Sequence, residues 1–311
     1  MTRSEPVLTV SAASLEFQNP ILLAAGTAAY GREVAGVMDL DSLGGLVTKA
    51  VSPEPREGAP APRVAEFDRG MMNAVGLANP GLDAVREHDI PWLAANVQHA
   101  RVLVNVVGNQ IEDFATVVEG LDDQRPVDGF ELNVSCPNVR AGGMEFGSEI
   151  GTLTKLVQRS RAATKRPLFV KLSPTLADIA DTARAAVDAG ADGITLINTI
   201  PGLAIDVESR RPMLGFGSGG VSGAGLLPVG VLAVWKVSRA VKVPLIGVGG
   251  ISRGTDVVQY LLAGASLTAL GTAALRDPRA PARVLRELSN WCESHRVQRL
   301  SDIVGSLEWP S

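Results

Sequence analysis

The sequence is short of the residues from which most metal and thiol sites are built. It has two cysteines, Cys136 and Cys292, and three histidines, His88, His99 and His295, in 311 residues. Two cysteines make no disulfide framework, and the scarcity fits a reducing compartment. The histidines fall in stretches read as helical or connecting, away from strand ends, which disfavours a His-based general base and a His/Cys metal site. No metal is expected. Excess positive charge is missing too: a formal net charge of −4 argues against a nucleic-acid surface built on bulk basicity, while leaving room for one local basic site for a small anion. No uninterrupted apolar stretch of about 18 residues appears, so no membrane span is expected. The opening MTRSEPVLTVSAASLEF lacks the basic-then-apolar run of a signal peptide, which makes the cytoplasm the default expectation. Also lacking are a GxGxxG that opens a helix after a first strand, a fixed-period repeat, a low-complexity tail and a linker.

What the chain has in plenty is short apolar runs that end in Gly, Asn, Lys or Ser. In order they are ILLAAG, GLVTKAV, RVLVNVVG, GFELNVSC, PLFVKLSP, GITLINTI, VPLIGVGG and SLTALGTA. Each is rich in Val, Ile and Leu and bounded by turn residues, as a strand buried on both faces of a parallel sheet is. Between them lie segments of helical period, such as IGTLTKLVQRSRAAT and LADIADTARAAVDAGA; the latter has Asp178 and Asp181 in its first turns and is closed by Gly190. Eight strands alternating with helices predict an α/β fold, a (β/α)8 TIM barrel formed by residues 1–311 as a single domain. An open doubly wound sheet is the runner-up. LTVSAASLEFQNP is read as an N-terminal hairpin at the barrel bottom. Two connections exceed a plain crossover helix: Ser52 to Pro80, with the Pro-rich SPEPREGAPAPR, and Ile200 to Leu227, with the glycine-rich LGFGSGGVSGAG. They are expected to be long βα-loop insertions over the C-terminal face, as lids or binding loops.

Barrel active sites gather at the C-terminal strand ends, and there the polar residues of this chain interrupt its apolar runs. They are Thr48 with Lys49, Asn105, Asn133 with Cys136, Lys171, and Asn198 with Thr199. A barrel packed only for stability would end its strands in apolar or small residues. GVGG, from Gly247 to Gly250, and GT, Gly271 with Thr272, end the last two strands, where barrels commonly bind phosphate through backbone N–H groups. Glycine permits the close backbone approach, although it also serves in plain tight turns. Buried lysines call for an electron-rich partner. A reduced flavin, negative near its pyrimidine ring, suits Lys49 and Lys171; a Schiff-base lysine of an aldolase-type barrel is the competing reading. Asparagines, both donors and acceptors, match a cyclic imide edge.

Several longer strings carry a resemblance. AAGTAAYG, TKAVSPEPREGAPAPR, GMMNAVGLANPG, ELNVSCPNVRAGGMEFG, VKLSP, INT, GGVSG, GVGGI and GTA together resemble the class 1 dihydroorotate dehydrogenases, and among them the class 1B catalytic subunits. The likeness runs from about Leu8 to Gly305. It implies an FMN-dependent barrel that oxidises dihydroorotate to orotate in pyrimidine synthesis. It also implies that Cys136 is the base that removes the C5 proton while the C6 hydride passes to flavin N5. Membrane-associated class 2 relatives carry serine there, so the cysteine points to class 1.

By the same resemblance, FMN would contact Ala25, Gly26, Thr48, Lys49, Asn105, Asn133, Lys171 and Ile197, with its phosphate on Gly223, Gly249, Gly250, Gly271 and Thr272. Substrate would be held by Lys49, by the turn Asn73, Ala74, Val75, Gly76 and Leu77, and by Asn133, Asn138, Asn198 and Thr199. Ala25 stands where a small hydroxyl residue is usual, and GAGLLPVG departs from the more usual GPAIKP wording. The resemblance also implies a homodimer and a heterotetramer of two catalytic and two FAD/2Fe-2S electron-transfer chains reducing NAD. This chain has no cysteine cluster for an iron–sulfur centre and no dinucleotide fingerprint, so it cannot complete that transfer alone. Two other readings are a dihydropyrimidine dehydrogenase-like flavin oxidoreductase and a non-flavin phosphate-binding barrel lyase. General-base catalysis is typically worth about 10²–10⁴-fold. Cys136→Ala is therefore expected to keep FMN while slowing flavin reduction by dihydroorotate at least by the lower figure in rapid-mixing experiments. Cys136→Ser should fall between the two and gain activity at high pH; an alanine variant as fast as wild type would remove the cysteine from the chemistry.

Overall fold

Each of the eight apolar runs becomes a strand: β1 (Ile21–Leu23), β2 (Gly45–Val47), β3 (Arg101–Val106), β4 (Val127–Asn133), β5 (Leu168–Leu172), β6 (Gly193–Leu196), β7 (Leu245–Val248) and β8 (Leu267–Leu270). In the computed structural model, which describes residues 7–68, 70–135, 137–138 and 144–310, they form one closed parallel barrel in chain order. The ring closes where Thr268 of β8 lies opposite Ile21 of β1. Closure leaves no strand edge unpaired, which is why runs apolar on both faces are tolerated here.

Side chains alternate along each strand between the helix layer and the barrel interior. Val102, Val104, Phe130, Leu132, Val170 and Ile194 face outward into the large core with the helices, while Leu22, Val47, Leu103, Phe169, Ile246 and Leu267 form a separate interior cluster. The helices present matching faces: Phe114, Val117, Val118 and Leu121 of Ile111–Leu121 recur at three- and four-residue spacing and are fully buried. Helix starts follow the sequence cues. Glu149 accepts from the amides of Gly151 and Thr152 before Ile150–Ala162, and Asp178 accepts from Ala180 and Asp181 before Ile179–Asp188. Gly190 takes φ +112 after the latter helix, a conformation that side chains rarely adopt.

The N-terminal hairpin is present, Val10–Ala12 against Leu15–Phe17. Its turn residues Ala13 and Ser14 both have positive φ, the geometry that matches the strand twist in a two-residue hairpin loop. Ala12 and Phe17 join the interior cluster with Leu22, Phe169 and Leu267, so the hairpin plugs the barrel bottom. None of the described helices is long and apolar enough to cross a membrane.

Phe17 is fully buried in that plug. Phe17→Ala is expected to cost about 3–5 kcal/mol of stability, the usual range for emptying an aromatic site in a core. Denaturant unfolding should show it as a lowered midpoint; an unshifted midpoint would mean the hairpin does not brace the barrel.

Candidate functional site

Moving up the barrel interior, the inward positions change character. On β3 Leu103 is followed by Asn105, on β4 Gly129 by Glu131 and Asn133, on β5 Phe169 by Lys171, and beyond β2 Val47 by Lys49. The apolar layer thus gives way to a polar one at the C-terminal ends. Its deepest members are buried: Asn105 and Glu131 are 1 % exposed and Lys171 7 %. Burial of such groups requires partners, and they supply them to one another. Asn105 Nδ2 donates to Glu131 Oε1 at 2.7 Å, and Lys171 Nζ lies 4.0 Å from the same oxygen. Above them, Asn198 Nδ2 donates to Asn133 Oδ1 at 3.3 Å, and Asn198 Oδ1 accepts the Thr199 amide at 2.8 Å. Lys49 is half-buried and has no carboxylate within ion-pair distance among the described residues.

Apart from Glu131, these polar side chains open on one cavity of about 1090 Å3 at the C-terminal face. Its outer wall is a four-stranded antiparallel sheet, in the order Ile200–Gly202, Gly219–Gly223, Gly70–Asn73 and Val64–Phe67. The two long insertions therefore pair with each other, with Asn73 opposite Gly220 and Met72 opposite Val221. This explains much of the glycine in that stretch. A Cβ on Gly220 would strike the Thr199 side chain, and one on Gly219 would strike the Asn73 carbonyl. Only bare backbone lets the sheet lie so close to the strand ends.

At one end the cavity is lined by Gly223, Gly249, Gly250, Gly271 and Thr272. The first three have φ of +113, +124 and +77. Thr272 Oγ1 donates to Ser222 Oγ at 2.8 Å, which ties the end of β8 to the outer sheet. The turn after β7 is held from behind by Tyr260, whose hydroxyl donates to the Gly249 carbonyl at 2.8 Å. Room for that phenol is made by Gly230 and Gly247, where any Cβ would overlap it. Burial, and then the charge of Asp256, push the Tyr260 hydroxyl far above its ordinary value, so it stays a donor. Burial likewise raises the Glu145 carboxyl, whose Oε1 accepts a 3.4 Å bond from Ser173 beside the same mouth.

Most residues singled out from the sequence meet at this cavity. Ala25, Gly26, Lys49, Asn73, Val75, Leu77, Asn105, Asn133, Lys171, Ile197, Asn198 and Thr199 line it with the five residues of the glycine end. Three stand behind the wall instead. Thr48 is buried, its hydroxyl donating to the Lys49 carbonyl at 2.9 Å and accepting the Asn105 amide at 3.2 Å. Ala74 donates its amide to the Arg63 carbonyl, and Gly76 packs on Ala59 at φ +69. Cys136 and the side chain of Asn138 lie outside the described residues. The three histidines are exposed, and Cys292 is fully buried in Ala280–Ser294, where burial pushes its thiol up and keeps it inert. Glu131, Ser222 and Tyr260 were missed. The available signal for Glu131 was its charge at an alternate, inward position of an otherwise apolar strand.

A closed parallel barrel whose strand ends converge on one polar, glycine-ended cavity defines a (β/α)8-barrel protein with a small-molecule site in its mouth. A family model for dihydroorotate dehydrogenase matches residues 7–291. Among similar chains, one from Pelobacter propionicus is 45% identical over 98% of this chain and 99% of its own length. One from Alkaliphilus metalliredigens is 45% identical over 96% and 98%, and one from Bacteroides fragilis 42% over 97% and 99%. All three are named dihydroorotate dehydrogenase B (NAD(+)), catalytic subunit. The chain belongs to the dihydroorotate dehydrogenase family.

A Cβ on Gly220 meets Thr199, so if Thr199 holds the substrate as the resemblance implies, Gly220→Ala is expected to displace that side chain and weaken orotate binding about tenfold, the loss of roughly one hydrogen bond's worth of free energy. Titration calorimetry checks it, with the glycine end of the cavity undisturbed; unchanged orotate affinity would separate the sheet from the ligand.

Proposed function

We propose that this protein oxidises (S)-dihydroorotate to orotate with bound FMN, in pyrimidine biosynthesis, and hands the electrons to a separate protein. The observation that carries the reading is the single cavity with two unlike ends, glycine backbone at one and lysine and asparagine side chains at the other. Its volume of about 1090 Å3 exceeds the roughly 300–1,000 Å3 of ordinary single-ligand pockets, which suits a cofactor and a small substrate together. The donor set fits as well. Positive-φ glycines suit a phosphate on backbone amides, and Ser135 Oγ, which lines the cavity, is buried without a hydrogen-bond partner among the described residues.

In this reading Ala25, Gly26, Lys49, Asn105, Asn133, Lys171 and Ile197 hold the flavin ring system, with Thr48 fixing Lys49 and Asn105 from behind. Gly223, Gly249, Gly250, Gly271 and Thr272 hold the phosphate. When bound, FMN supplies a two-electron acceptor beside the substrate. The chain's own groups bind and orient. Lys49, with no carboxylate within ion-pair distance among the described residues, compensates the substrate carboxylate. Asn73, Asn133, Asn198 and Thr199, with Asn138, match the donors and acceptors of the cyclic imide, and the backbone from Asn73 to Leu77 closes over it. Cys136 takes the C5 proton as its thiolate, the only form of a cysteine that is a base. The C5 proton goes to that sulfur, and the C6 hydrogen leaves with two electrons.

The similar chains named as catalytic subunits of a B-type, NAD(+)-linked enzyme support a partner for this one too. Two cysteines are too few to ligate an iron–sulfur cluster, so electrons destined for NAD need another chain. The expected assembly is a homodimer of this chain carrying two FAD/2Fe-2S subunits, in the cytoplasm.

The test is direct. The purified protein should be yellow and release FMN on denaturation, and anaerobic dihydroorotate, but not dihydrouracil, should bleach it within one turnover. Reoxidation by NAD only in the presence of an iron–sulfur flavoprotein, against reoxidation by fumarate or quinone alone, fixes the acceptor. Bleaching by dihydrouracil would favour a dihydropyrimidine dehydrogenase-like reaction, and a colourless protein a non-flavin barrel lyase.

A further inference from the structure

Glu131 is the one charged side chain set into the barrel interior below the cavity among the described residues that does not line it. Asn105 and Lys171, its two partners, both line the cavity. The register puts Asn105 directly opposite Glu131 on the neighbouring strand, and Lys171 opposite Asn133, one inward position higher. The carboxylate therefore reaches the site only through an amide at 2.7 Å and an ammonium at 4.0 Å. Among the described residues no other cation lies within ion-pair distance of Glu131, and no other carboxylate within that distance of Lys171. In so dry a setting an unpaired carboxylate is costly, and each charge of the pair offsets the other's desolvation.

We propose that Glu131 is a positioning residue for the reaction: it holds the Lys171 ammonium and the Asn105 amide from below and sets how much positive charge they present to the ligand. This rests on the FMN reading above. A flavin ring held there would become negative near its pyrimidine edge on gaining two electrons, and Lys171, which lines the cavity, would be among the groups facing it. With Glu131 beneath it, Lys171 presents a partly neutralised charge. Replacing the carboxylate by an amide of the same shape keeps an acceptor for Asn105 and removes only the charge. The uncompensated ammonium then favours the more negative, reduced ligand.

The experiment is the reduction equilibrium of the FMN-loaded protein, titrated anaerobically against a dye of known potential. Glu131→Gln is expected to shift that equilibrium at least tenfold towards the reduced form, about 30 mV for two electrons. In the double variant Glu131→Gln with Lys171→Met the shift should collapse, because the effect runs through the lysine. A merely structural role would lower the melting temperature or FMN occupancy without moving the potential. Should the glutamine variant not hold flavin, Glu131→Asp, which withdraws the charge by one methylene, should move the potential in the same direction by less. An unmoved potential in whichever variant holds flavin overturns the proposal. Wild-type protein that binds no FMN overturns the cofactor reading instead, so the two failures are told apart.

Discussion

A strand in a closed barrel has no free face: each side chain goes either to the helix layer or to the interior. Everything else in this protein follows from how its interior positions are filled. Leu22, Leu103, Phe169, Ile246 and Leu267 with the hairpin residue Phe17 fill the lower half, and that dry plug leaves space only above. Towards the strand ends Glu131 pairs with Asn105 and Lys171, while Lys49, Asn133 and Asn198 face the cavity. The same two-residue period thus builds the core and aims the site.

The eight strands were legible because a strand buried on both faces reads as a bounded apolar run, and all eight runs bear that out. The convergence of strand-end lysines and asparagines was legible by the same token, since strands of one direction put their C-termini on one face. Inward and outward orientation was harder to read. Thr48 and Lys49 are neighbours in sequence, but successive side chains alternate, so Lys49 lines the cavity and Thr48 braces it from behind. Glu131 is legible as a charge at an inward position of an apolar strand, but only the register reveals that its neighbours across the ladder are Asn105 and Phe169.

Non-local pairing was least legible of all. The insertions that start near Ser52 and Ile200 read as separate loops, and no local signal says that Gly219–Gly223 joins Gly70–Asn73. Their glycines suggested a lid. In the folded chain Gly219 and Gly220 are there because a Cβ would strike Asn73 or Thr199, so the absence of side chains serves close packing rather than looseness. Tyr260 makes the same point at the other end of the cavity. Its phenol is held by three glycines distant from it in sequence, and it holds the Gly249 carbonyl in return.

The two mouth lysines, alike in sequence, are unlike in physics. Lys171 sits over a buried carboxylate, its ammonium 4.0 Å from Glu131 Oε1, so its charge is partly offset inside the protein. Lys49 has no such counter-ion among the described residues, although it is half-buried at the same mouth. A half-buried cation without a counter-ion is a standing preference for an anionic ligand, whereas one beside a carboxylate presents N–H donors with a partly offset charge. Two residues of the same type thus give one cavity two cationic positions of unlike strength. The difference between them lies in a single buried carboxylate, Glu131, two residues before Asn133 on the same strand face.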